Sequence, residues 1–106
     1  MGKTFVFTCL AAVGLSAAAL ATNQTIRQKG RAFSSEGVTI RKGDTLTFFN
    51  DDNVPHNIAS TRKGNEFNLG SQPPGSATPV TFREVGDTQV ICAIHPRMKL
   101  MVKVTD

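Results

Sequence analysis

The sequence predicts an all-β protein, a small antiparallel β-sandwich, and three observations carry that expectation. From Thr25 to Thr105, short β-branched, aliphatic and aromatic runs are separated by clusters of Gly, Pro, Asp and Asn. Several runs alternate in polarity with period two, and none has the 3.6-residue apolar spacing of an amphipathic helix. Six to eight short strands in 85 residues bury their apolar faces most simply as two packed sheets.

Residues 1–21 stand apart from that pattern. Met1-Gly2-Lys3 gives a short positive start, Thr4 to Leu20 is almost wholly apolar or small, and Ala19-Leu20-Ala21 fits the small-x-small rule for signal peptidase. The segment reads as a cleavable helical signal peptide, with Thr22 opening a single mature domain, 22–106. Its uncharged run lies at the lower edge of bilayer-spanning length, and the abrupt polar switch at Thr22-Asn23-Gln24 favours removal over anchoring. No stable membrane insertion is expected after cleavage, and Cys9 leaves with the signal.

Within the mature chain, Thr25 to Phe33 has an imperfect pattern. Val38-Thr39-Ile40-Arg41 reads as a strand entering a tight turn at Lys42-Gly43-Asp44. Thr45 to Asn50 is the next strand, with Leu46 and Phe48 sharing one face. Asp51-Asp52-Asn53 breaks it, and Val54-Pro55-His56-Asn57-Ile58 resumes in extended form because the residue before proline is biased away from helix. Arg62 to Ser76 carries three glycines and two prolines and reads as a long connection with one short strand near Phe67-Leu69. Val80-Thr81-Phe82 is a strand, Glu84 to Asp87 a turn, and Thr88 to Cys92 a mostly apolar inner strand. Lys99 to Thr105 closes the domain, with Leu100, Val102 and Val104 facing inward and Met101 outward.

Composition narrows the chemistry. The mature chain keeps two histidines, one cysteine and a net charge of +3, too spread out to read as a nucleic-acid patch. A lone secreted thiol is inert and buried, paired with another chain, or held by a metal. Cys92-Ala93-Ile94-His95-Pro96-Arg97-Met98 places a thiolate, an imidazole and a thioether on one loop, and a sandwich can bring His56 beside it. Two imidazoles and a thiolate with a weak thioether suit both oxidation states of copper; zinc would take the first three but gains little from Met98. Met101 is the alternative thioether, disfavoured by its outward position. A hydrolase would need an orienting carboxylate and a cleft, and a multicopper oxidase more than two histidines, so no enzyme is expected.

Val54-Pro55-His56-Asn57-Ile58 and Cys92-x-x-His95-x-x-Met98 resemble the two ligand segments of the cupredoxins, the type 1 blue copper proteins, in an amicyanin/plastocyanin-like form. The resemblance spans about residues 38–106. It implies a Greek-key sandwich, one type 1 copper held by His56, Cys92, His95 and Met98, and one-electron transfer in the periplasm. The partner it implies is a c-type cytochrome or periplasmic dehydrogenase, and Arg97 beside His95 favours an acidic one. A monomer is expected. Copper tolerance or delivery is the alternative role for the same ligands. One departure stands out: Ile94 occupies a position that is proline in amicyanin. Its retained N–H is expected to donate to the Cys92 sulfur beside that of Asn57 and to raise the potential.

Overall fold

The computed structural model describes residues 20–106, so of the predicted signal segment only Leu20 and Ala21 lie among the described residues. Eight strands follow: β1 (Asn23–Gln28), β2 (Gly37–Arg41), β3 (Thr45–Asn50), β4 (Ile58–Ser60), β5 (Phe67–Asn68), β6 (Ala77–Thr81), β7 (Gly86–Cys92) and β8 (Lys99–Thr105). They form two sheets, ordered β1-β3-β6 and β2-β8-β7-β4-β5, with the chain crossing between sheets at β1–β2, β2–β3, β3–β4, β5–β6 and β6–β7. No helix among the described residues is long and apolar enough to cross a membrane.

Alternation sets the inner faces. Leu46 and Phe48 of β3, Val90 and Cys92 of β7, and Leu100, Val102 and Val104 of β8 are all buried, with Phe82 and Ile58 completing the layer between the sheets. Met101 is 42% exposed on the outer face of β8, as the alternation requires.

The pairing departs from the sequence expectation in one respect. β3–β6, β4–β5, β4–β7 and β7–β8 are antiparallel, but β1–β3 and β2–β8 are parallel. Parallel neighbours arise because the strand between β1 and β3 in sequence, β2, belongs to the opposite sheet, so β3 returns alongside β1 in the same direction. Single-strand alternation carries no information about this.

The turn between β2 and β3 shows how a local motif ties both sheets. Gly43 takes a φ of 95°, which favours glycine, and its N–H donates to the Phe82 carbonyl at 2.7 Å. Asp44 accepts the Arg41 N–H at 2.9 Å and the Thr22 N–H at 2.8 Å. Those two backbone donors, Arg41 first, hold its carboxyl below the ordinary value of 3.8. A depressed folded value means a stabilising contribution present above pH 3.8 and lost as pH falls through the folded value. Melting curves of the metal-free protein should therefore decline on the acid side less steeply for Asp44→Asn than for wild type; equal slopes would refute the assignment.

Candidate metal centre

The β4–β7 pairing sets Ile58 opposite Cys92, so the residues just before β4 lie beside the end of β7. His56 is held there by an isolated bridge to Gln72, its N–H donating to Gln72 O at 3.1 Å and its carbonyl accepting the Gln72 N–H at 2.6 Å. The loop from Cys92 to β8 is closed by the Met98 N–H donating to His95 O at 2.9 Å and the Cys92 N–H donating to Met98 O at 3.3 Å. Across the two segments, the Ala93 N–H donates to Asn57 O at 2.8 Å.

This framework brings three donor atoms together. His56 Nδ1 and His95 Nδ1 lie 3.2 Å apart, and each lies 3.7 Å from Cys92 Sγ. The point equidistant from all three is about 2.0 Å from each, close to the length of an imidazole–metal bond. Donor type and spacing thus fit a single ion. Among the described residues, His56, Cys92 and His95 form the one cluster of His, Cys, Asp and Glu with this arrangement. His56 and Cys92 are fully buried and His95 is half-buried.

The fourth predicted residue sits in the same loop. Met98 is buried at 2% exposure, whereas Met101 is exposed on β8. The Asn57 N–H donates to Cys92 Sγ at 3.3 Å, as expected. The Ile94 amide does not: among the described residues Asn57 supplies the only N–H to that sulfur. Ile94 instead carries its side chain outward, half exposed.

Sequence reading missed what lies behind His56. Asp52 accepts a hydrogen bond from His56 Nε2 at 2.8 Å. A carboxylate can only accept, so the hydrogen resides on Nε2 and the Nδ1 lone pair faces Sγ and His95. Burial would raise the Asp52 carboxyl, but hydrogen bonds from Arg31, His56 and Gly30 hold it below the ordinary value. A buried amide network supports the same segment: Asn50 Nδ2 donates to the carbonyls of Val54 and Gln72, both at 2.9 Å, and Gln72 Nε2 to Phe48 O at 2.8 Å. The signal for Asp52 was its place four residues before His56, in a stretch read only as a strand breaker.

A groove of about 450 Å³ opens beside the half-buried ligand, lined by Gly30, Arg31, Ile94, His95, Pro96 and Arg97. Residues 20–105 match the profile of the copper binding proteins of the plastocyanin/azurin family. The chain belongs to this family. Copper is accordingly the ion that His56, Cys92 and His95 are placed to hold.

Solved cupredoxins agree in fold. A novel purple cupredoxin from Nitrosopumilus maritimus is 29% identical with a TM-score of 0.68, covering 77% of this chain and 99% of its own. Amicyanin from Paracoccus versutus is 26% identical with a TM-score of 0.68, covering 83% and 84%. A copper-containing nitrite reductase from Thermus scotoductus is 24% identical with a TM-score of 0.72; this chain spans 23% of its length, so that likeness concerns the fold alone. No curated protein matches the sequence significantly.

Proposed function

We propose that the protein is a type 1 copper electron carrier of the periplasm, in which His56, Cys92 and His95 would hold the ion and Met98 would supply a weak fourth donor. The observation that supports it best is the exposure pattern of the donors. His56, Cys92 and Met98 are buried, and His95 alone reaches the surface. Copper held by such a set supplies one-electron exchange between Cu(II) and Cu(I). The chain's own part is to hold the donors still and to exclude water. With these four side chains as donors no position would stay open for a substrate, and the role would be outer-sphere transfer without catalysis.

Electrons would pass at the His95 edge, in the groove whose apolar wall is Ile94 and Pro96 and whose rim carries Arg31 and Arg97. Two guanidinium groups there favour an acidic partner, a c-type cytochrome or periplasmic dehydrogenase, and make association weaken with salt. Processing after Ala21 fits the same reading, because the freed α-ammonium of Thr22 would sit where its N–H already meets Asp44 at 2.8 Å.

The test is to add Cu(II) to the purified 22–106 chain and record its visible spectrum. An intense sulfur-to-copper charge-transfer band and reversible one-electron reduction are expected; colourless binding without redox turnover would instead favour copper delivery or tolerance.

A further inference from the structure

The turn after β1 carries a second unusual feature. Arg31 has a φ of 55°, the only positive value among the described non-glycine residues, and Gly30 before it has 65°. Side chains rarely adopt this region unless their surroundings hold them there. What holds Arg31 is Asp52: the Gly30 N–H donates to Oδ1 at 2.6 Å and the Arg31 N–H to Oδ2 at 2.9 Å. Two successive amides in left-handed conformation make a concave anion seat, and here the anion is a side chain of the same protein. That same Oδ2 lies 2.8 Å from His56 Nε2. Asp52 is itself fixed, its N–H donating to Asn50 Oδ1 at 2.9 Å, and its side chain is only 10% exposed.

We propose that Asp52 is the positioning residue of the metal centre, holding His56 Nδ1 toward the ion, lowering the reduction potential by its negative charge, and pinning the turn that presents Arg31 to the groove. The carboxylate lies one imidazole ring from the ion site, where solvent screening is weak, so it favours the more positive Cu(II) state over Cu(I). One side chain thereby joins the buried ligand to the rim at which a partner docks.

The inference rests on the copper reading, and its experiment separates the two. Wild type and Asp52→Asn are loaded with copper, and their visible spectra and midpoint potentials are measured at one pH. Asparagine keeps the shape and an acceptor oxygen but removes the charge. The expected result is a retained visible band with a reduction equilibrium shifted about tenfold toward Cu(I), which is 59 mV for a one-electron couple. A purely structural residue would alter folding without this signed shift. An unchanged or more negative potential with the band intact overturns the role of Asp52, whereas a wild type lacking the band overturns the copper reading. In the metal-free protein, nitrogen NMR is expected to show His56 as the Nε2–H tautomer in wild type and a mixture in Asp52→Asn. A wild-type ring already mixed also overturns the proposal, and this readout survives if a variant binds copper poorly.

Discussion

Cys92→Ser is expected to abolish the charge-transfer band completely while leaving the metal-free fold close to wild type. The reason lies in what the sulfur does and where it sits. Cys92 is fully buried at the end of β7, its Sγ 3.7 Å from both imidazole nitrogens. A coordinating thiol is deprotonated outright and gives a soft, polarizable anion that both copper oxidation states accept. A serine hydroxyl keeps its proton and is a hard, weak donor. Two imidazoles would remain, enough for loose Cu(II) binding without the sulfur transition or a reversible couple. Folding is affected far less, because serine Oγ can still accept the Asn57 N–H that now goes to sulfur at 3.3 Å. The cost of burying the more polar hydroxyl is roughly 1–3 kcal/mol. Absorption spectra, cyclic voltammetry and metal-free melting curves of the variant check these expectations together. A Cys92→Ser protein that keeps the intense band would remove sulfur, and with it the type 1 assignment, from the site.

How much of this was legible in advance differs between elements for physical reasons. β3 and β8 match the residues expected, Thr45–Asn50 and Lys99–Thr105, because each packs one face on the core and shows the other to solvent, which writes a period of two into the sequence. β4 and β5 are only three and two residues long, too short for any period; β5 nonetheless falls at Phe67–Asn68, within the short strand expected near Phe67-Leu69, while the extent of β4 follows from tertiary pairing. The parallel β1–β3 and β2–β8 ladders were unreadable because strand direction depends on which sheet the intervening strand joins. At the site, the soft donors stood out by rarity: two histidines and one cysteine after residue 21 leave few ways to build a cluster. Asp52, Asn50 and Gln72 did not, since Asp and Asn are ordinary turn residues and a buried Gln has no sequence signature. Their roles exist only once β3, the Gln72 bridge and the turn at Gly30 are folded together. Ile94 erred in the opposite direction. A loop amide near a sulfur is plausible from spacing alone, but the hydrogen bond depends on a direction that spacing does not fix.

Phe48→Ala should be the most damaging single core change, and bound copper should offset the loss relative to the metal-free wild type. Phe48 is fully buried on the inner face of β3. Its ring meets Phe33 edge-on with centroids 6.3 Å apart and Phe67 at 6.5 Å, and Phe67 in turn meets Phe82 at 5.9 Å, so one ring links the aromatic layer between the sheets. Truncation to alanine in such a place costs about 3–5 kcal/mol, from lost transfer energy and the cavity left behind. A domain of this size has a total stability of only ~4–13 kcal/mol, so metal-free Phe48→Ala is expected to melt roughly 15 to 30 °C below wild type. The link to the site is kept, since Gln72 Nε2 donates at 2.8 Å to the main-chain carbonyl of residue 48, which alanine retains, and Gln72 holds His56. Binding acts in the other direction: free copper at a thousandfold its dissociation constant adds about 4 kcal/mol to the folded state, nearly the size of the loss. Melting curves should therefore show the copper-loaded variant rising to near the metal-free wild type, while the gap to equally loaded wild type persists, since copper stabilises both folded forms alike. A metal-free variant melting within a few degrees of wild type would mean that the core between the sheets does not depend on this ring.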